Sequence, residues 1–393
     1  MPLAETQLPR FRSITDLVNQ LRPSTPVYAL FPDKFLKAAR TFIDGFPGET
    51  LYAVKANHAP PVLDQIYAAG IRHFDVASLP EVGLIHQRFP EARQSFMAPV
   101  RLYGAAAEAH NVHGVRSFAL DSNEELRAIL RETGAAADRR IAEQLTLYVR
   151  LAVPSNGALL ELSSKFGVDP KAAALLLRQI SQAGAKPALT FHVGSQCLHP
   201  EAYTTALAMC GEAMNRANIA MRALDVGGGF PGSYLKVSVA PMQDYFAAIK
   251  KGMAALNLPP SCEVSCEPGR ALVAEGMSVV AQVVQRRGAT LHINDGIYGS
   301  LNEYALQNWP VRYPLRVLTT DAASGIVERS GPTIDFRAFG PTCCSLDVLP
   351  VPLELPSNIA AGDWIEFEHC GAYSCALRTS FNGFFPDAFV LVS

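Results

Sequence analysis

The sequence predicts an α/β plus β protein: a (β/α)8 TIM-type barrel followed by a C-terminal β domain that also recruits the N-terminal segment. Three observations carry this reading. From about residue 34 to 270, eight short β-rich runs alternate with helix-like runs, and strands that alternate with helices pair in parallel. After about residue 271 the helical pattern stops, and β-type segments separated by turn clusters take over. The stretch Pro26–Phe31, ahead of the barrel, is itself strand-like. The expected division is a barrel over 34–270 and a β-sandwich or β-barrel domain built from 1–33 and 271–393.

The barrel runs, in order, are Thr50–Val54, His73–Ala77, Ser95–Pro99, Ser117–Asp121, Leu145–Leu151, Ala188–Val193, Arg222–Val226 and Cys262–Cys266. Helices are expected over Ala59–Ala69, Glu124–Arg131, Lys171–Ala183, Tyr203–Arg216 and Met242–Leu256. Two have clear entry signals: Asp121-Ser122-Asn123 ahead of Glu124-Glu125, and Asp169-Pro170 ahead of Lys171. Beyond the barrel, strands are expected over Met277–Gln285, Thr290–Ile293, Ile334–Ala338, Trp364–Glu368 and Ala388–Val392. Asp295-Gly296 and Ala361-Gly362-Asp363 mark turns between them.

Composition narrows the function. With 34 basic and 36 acidic side chains the formal net charge is −2, which gives no footprint for nucleic acid or an anionic membrane. Hydrophobic residues make up 49% and charged residues 18%, enough apolar material for a large core. No apolar run approaches the ~18 residues of a membrane span. The opening Met-Pro-Leu-Ala-Glu lacks the basic end and apolar stretch of a secretory signal, so a cytoplasmic protein is expected. None of the eight cysteines forms a C-x-x-C pair, and no metal site is expected. A metal-dependent barrel hydrolase would need clustered ligands at strand ends, where only His192 and Asp75 are well placed.

A (β/α)8 barrel keeps its active site at the C-terminal ends of the strands. Those ends carry Lys55, Asp75, Arg150, His192 with Ser195, Gly227-Gly228-Gly229, and Glu267-Pro268-Gly269-Arg270. Their types suggest one cofactor. A lysine among apolar neighbours can have its pKa lowered until its amine is a nucleophile. Consecutive glycines let backbone N–H groups approach a phosphate, and Arg270 or Ser195 could complete that site. A histidine can lie flat on an aromatic ring, and a carboxylate can hold a ring nitrogen protonated. Together they point to pyridoxal 5'-phosphate (PLP).

The same residues resemble the ornithine decarboxylase branch of the ornithine, diaminopimelate and arginine decarboxylase family. The matching stretches include Tyr52-Ala53-Val54-Lys55-Ala56-Asn57, Phe74-Asp75-Val76-Ala77-Ser78, Ser164-Lys165-Phe166-Gly167 and Phe191-His192-Val193-Gly194-Ser195-Gln196. Further on come Asp225-Val226-Gly227-Gly228-Gly229-Phe230-Pro231-Gly232, Glu267-Pro268-Gly269-Arg270, Gly340-Pro341-Thr342-Cys343, Gly371-Ala372-Tyr373 and Ser380-Phe381-Asn382-Gly383-Phe384. The resemblance implies a PLP enzyme of alanine-racemase-like fold. Lys55 would bind the cofactor covalently, His192 would stack on its ring, and Glu267 would pair with the ring nitrogen. Ser195, Gly228, Gly229, Gly269, Arg270 and Tyr373 would surround the phosphate, with Asp75, Arg150 and Glu81 in support. It also implies a homodimer with composite sites, in which Cys343 serves the neighbouring subunit as proton donor after CO2 departs. Racemases of this fold set an arginine against the ring nitrogen, so Glu267 favours decarboxylation.

The chain departs from this family where the far end of the substrate would bind. Diamine-forming relatives have an acid directly after the cysteine of Gly-Pro-Thr-Cys; here it is Cys344. A second acid, nine residues after the tyrosine matching Tyr298, corresponds to Gln307. Glu303 is a candidate replacement, and Arg378 is a candidate receiver of a carboxylate. The expected substrate is therefore an L-amino acid whose distal group is neutral or carboxylated, such as a conjugated amino acid of siderophore or other specialised metabolism. Ornithine or lysine decarboxylation for polyamine biosynthesis is the alternative. A catalytically silent protein like the antizyme inhibitors is a third reading, disfavoured by retention of Lys55, His192, Glu267 and Cys343.

Overall fold

In a computed structural model the described residues are 8–154, 157–160, 165–306 and 312–393. Eight parallel strands close into a barrel: Glu49–Ala53, His73–Val76, Arg93–Phe96, Ser117–Leu120, Thr146–Leu151, Lys186–Phe191, Ala223–Asp225 and Glu263–Cys266. Closure comes from pairing the last strand with the first, Ser265 opposite Glu49. Each expected run is present, with ends displaced by a few residues. The third and sixth strands begin two residues early, at Arg93 and Lys186, and stop before Met97 and His192. The residues beyond their ends, Met97 and His192, line the cavity at the mouth.

The helices between strands begin where local chemistry allows. Ser122 Oγ accepts from Glu125 N at 3.2 Å, capping Asn123–Glu132. Asp169 Oδ1 accepts from Lys171 N and Ala172 N, and Pro170 occupies the first turn of Pro170–Gln182. Inside the helical ring, Phe42, Tyr203, Phe230, Tyr245 and Phe246 pack edge to face and stacked, with neighbouring ring centres 5.0–6.3 Å apart.

The second layer is a ten-stranded sheet. Val27–Leu30 lies between Met277–Arg287, antiparallel to it, and Ala388–Val392, parallel to it. The N-terminal segment thus joins the sheet, and Tyr28 stacks on Phe389 at 4.7 Å. The sequence pattern missed Arg10–Phe11, Leu315–Asp321, Gly325–Glu328 and Leu353–Pro356. The middle two form an antiparallel pair whose exposed Thr320, Asp321 and Glu328 dilute the apolar alternation. The last is framed by Pro350, Pro352 and Pro356, which read as turn residues. None of the described helices is long and apolar enough to cross a membrane.

Candidate active site

After the first strand ends at Ala53, the chain turns through one 3-10 turn, Val54–Ala56, which carries Lys55. The expectation that Lys55 closes an extended run is thus corrected. Asn57, fully buried, locks the turn: its side chain donates to Gly371 O at 2.8 Å and accepts from Ala59 N at 3.1 Å. Lys55 Nζ donates to Asp75 Oδ2 at 2.6 Å. The expected lowering of the lysine pKa is also overturned. Burial pulls it down, but the carboxylates of Asp75 and Glu267 outweigh burial and raise it. Lys55 is an ammonium ion in this setting.

Asp75, buried, is the penultimate residue of the second strand. Beside it Glu81, on the helix Leu79–Arg88, accepts from Ala77 N at 2.7 Å, and burial raises its pKa. Arg150, on the fifth strand, sits 5.3 Å from the Phe166 ring. His192 follows the sixth strand, and its Nδ1 accepts from Gly194 N at 3.0 Å. A ring nitrogen that accepts carries no proton. Burial, with the charges of Arg150 and Lys55, pushes the His192 pKa well below its usual range, so the imidazole is neutral and suited to stacking.

Glu267 follows the eighth strand and is buried, with no hydrogen-bond partner for Oε1 among the described residues. Burial raises its pKa, and Asp225 and Asp75 raise it further. Sequence reasoning left Asp225 without a role. It is fully buried in the barrel, accepts from Thr190 Oγ1 at 2.6 Å and Ser265 Oγ at 3.2 Å, and is pushed up to about 7 by burial. The available signal was a lone acid inside the apolar run Leu224-Asp225-Val226.

Lys55, Asp75, Arg150, Phe166, His192 and Glu267 line one cavity of about 220 Å³. A larger cavity of about 890 Å³ lies at the other end of the barrel, where Glu49, His73, Arg93 and Glu263 begin their strands. That end is opposite the strand termini that carry chemistry in barrels of this type.

The glycines after the seventh strand fit their turn through close approach. Gly229 has φ +105°, and a Cβ on it would lie 2.5 Å from Gly194 O. A Cβ on Gly228 would lie 2.8 Å from Glu267 O and 2.9 Å from His192 Nε2. Gln196 exchanges two hydrogen bonds with Gly232, tying the Ser195 segment to the glycine turn. A Cβ on Gly269 would lie 2.8 Å from the Ala56 Cβ. Tyr373 N donates to Ala56 O at 2.8 Å, and the Arg270 guanidinium lies 4.8 Å from the Tyr373 ring. The residues expected around a phosphate are thus linked to one another and to the Lys55 turn.

These features fit PLP. Glu267 offers an unpartnered buried oxygen to a ring N–H, a neutral imidazole faces the cavity, and a lysine sits at its wall.

Outside this cavity the expectations fare differently. Glu303 is neither a surface glutamate nor a spare acid for substrate: it is buried, and both its oxygens accept from Arg270. Tyr298 Oη shares a hydrogen bond with Cys344 Sγ at 3.3 Å. Exposed Cys343 donates from Sγ to Asn382 Oδ1 at 3.3 Å. Arg378 donates to Cys375 O and lies 4.2 Å from the Phe385 ring, a packing role; its Nε has no hydrogen-bond partner among the described residues. None of Tyr298, Cys343, Cys344 and Arg378 lines the Lys55 cavity. Gln307 lies outside the described residues.

Residues 31–274 match the pyridoxal binding domain of the pyridoxal-dependent decarboxylases, and residues 237–371 match their C-terminal sheet domain. The chain is 30% identical to a lysine/ornithine decarboxylase of Selenomonas ruminantium, over 85% of this chain and 81% of that one. It is 28% identical to an antizyme inhibitor 2 of Xenopus laevis, over 85% and 73%. A lysine/ornithine decarboxylase of Vibrio vulnificus, solved with cadaverine, superposes with a TM-score of 0.80 at 28% identity, covering 97% of each chain. With its cofactor pocket and both domains matched, the chain belongs to the ornithine, diaminopimelate and arginine family of PLP-dependent amino acid decarboxylases.

Proposed function

We propose that this decarboxylase acts on an L-amino acid whose distal group is neutral or carboxylated rather than a simple ammonium. One observation carries the reading: Cys344 is a thiol paired with Tyr298, and Glu303 is held by Arg270. An ammonium desolvated without its carboxylate partner would lose on the order of 2–5 kcal/mol of binding. Conjugated amino acids leading to siderophores or other specialised products have such distal groups.

The chain's own residues divide the work. Lys55 Nζ would hold the cofactor, and Asp75 Oδ2, 2.6 Å away, would orient that amine. PLP bound there supplies an electron sink for the pair left when the α-carboxylate departs as CO2. Glu267 Oε1 would keep a proton on the ring nitrogen, which makes the sink effective. His192, neutral, would pack against the ring without adding charge. Arg150, buried near the carboxylates of Glu267, Asp75 and Asp225, adds a positive charge that opposes the rise which burial imposes on the Glu267 pKa.

Cys343, from the neighbouring subunit of a homodimer, would supply a proton to the substrate carbon that loses CO2. The apolar residues around it support an interface there: Leu346, Leu377, Phe381, Phe384 and Phe385 are all exposed on one chain.

A substrate panel tests the proposal. Amino acids with neutral or carboxylated distal groups should be decarboxylated with higher kcat/KM than L-ornithine or L-lysine; the reverse order would end it. Decarboxylation of lysine or ornithine is the second reading, favoured by the likeness to the Selenomonas enzyme.

A further inference from the structure

We infer that Glu303 is a positioning residue for the cofactor phosphate, acting by fixing the guanidinium of Arg270; this rests on Arg270 being a phosphate ligand. Arg270 opens the short helix Arg270–Val273 after the eighth strand, and Glu303 lies in the turn Asn302–Ala305. Their side chains are 3% and 2% exposed and meet in a two-pronged ion pair. Nη1 donates to Glu303 Oε2 at 3.0 Å and Nη2 to Oε1 at 2.6 Å. Tyr234 Oη accepts a further bond from Nη1 at 2.7 Å, and Tyr313 Oη donates to Glu303 Oε2 at 3.1 Å.

The same turn reaches the other expected phosphate group. Asn302 Nδ2 donates to Ser374 O at 2.8 Å, next to Tyr373. One short turn therefore braces both Arg270 and Tyr373. An arginine stem has many rotamers, and a planar two-pronged partner removes most of them. Glu303 also balances the buried guanidinium charge before any phosphate arrives.

Charge and geometry oppose each other here, which gives the inference a sign. If charge alone mattered, a carboxylate beside the phosphate would weaken PLP binding, and neutralising it would tighten binding. If orientation dominates, neutralising it loosens Arg270 and weakens PLP binding.

The experiment titrates apo-protein with PLP and with pyridoxal, which lacks the phosphate, following the visible absorbance of the covalently held cofactor and, for PLP, its phosphorus NMR resonance. Glu303→Gln should weaken PLP by roughly 10-fold or more, as loss of an outer partner does at other ligand sites, and leave pyridoxal within about twofold. Equal weakening of both ligands, or tighter PLP binding, overturns the inference. Tyr313→Phe, which removes one bond to Glu303, serves if Glu303→Gln fails to fold; it should shift the PLP-to-pyridoxal ratio in the same direction, and an unchanged ratio overturns the inference. Arg270→Ala separates the two layers. If it leaves the ratio unchanged, the phosphate assignment of Arg270 fails; if it shifts the ratio and Glu303→Gln does not, only the role of Glu303 fails.

Discussion

The mouth of the barrel and the loops at the edge of the sheet carry polar residues in opposite ways. At the mouth, Asp75, Asp225 and Glu267 are buried, and each meets a neighbour that fixes its position or its charge. At the sheet edge, Cys343 is exposed, and Phe381, Phe384 and Phe385 stand in solvent on a single chain. The mouth is packed within its own chain, whereas the edge leaves apolar side chains exposed. On the function proposed above, bond-breaking chemistry would be held by strand ends, and substrate choice would fall to loops that a second copy completes.

The largest expected effect removes the mouth's central group. Lys55→Ala should abolish covalent cofactor attachment and lower turnover by roughly 10³-fold or more; a visible band that borohydride bleaches while fixing the label to the protein, together with retained turnover, would break the division at its strong end. Cys343→Ala should lower turnover by about 10²-fold, in the range of a lost general acid, while thermal stability stays near wild type because the side chain is exposed. It should also divert protonation to the wrong carbon, giving an aldehyde and the amine form of the cofactor, measured by product chromatography. A large loss of stability with unchanged products would place Cys343 with the structural groups instead.

Cys344→Asp sharpens the other side. A carboxylate beside Tyr298 should raise kcat/KM for lysine or ornithine about tenfold, a gain of ~1.4 kcal/mol. A flat response would remove position 344 from substrate selection.

The smallest effect separates the regions by pH. Asp225 has its folded pKa raised to about 7 from 3.8, so its contribution to stability is full below pH 3.8 and is lost as pH rises toward 7. His192 works in the other direction: its folded pKa is depressed, so its contribution is full above pH 6.5 and is lost on acidification. Comparing Asp225→Asn with wild type isolates the first of these. The variant should gain stability relative to wild type between pH 4 and 7 and hold a constant difference above 7, followed by thermal melts of the apo-protein. A difference independent of pH would show that Asp225 is ionised throughout.

The sequence made the two regions unequally legible, for a physical reason. Barrel strands buried on both faces read as short apolar runs, and the polar residue at each end stands out against them. Lys55, Asp75, His192 and Glu267 were therefore readable by position alone. Electrostatics was not. The charge on Lys55 depends on Asp75 and Glu267, which come from other strands, and only the closed barrel brings them together. Glu303 was misread for a similar reason, since its partner Arg270 lies 33 residues earlier. Half-exposed strands such as Leu315–Asp321 and Gly325–Glu328 carry no clean alternation and escaped notice.

The central claim is that the buried mouth of the barrel holds PLP on Lys55. Borohydride reduction of the PLP-loaded protein, proteolysis and mass spectrometry test it most directly. The account predicts the phosphopyridoxyl group on the peptide containing Lys55 and on no other, with Lys165, also at the cavity wall, left unmodified. A label on Lys165, or spread over surface lysines, would contradict it.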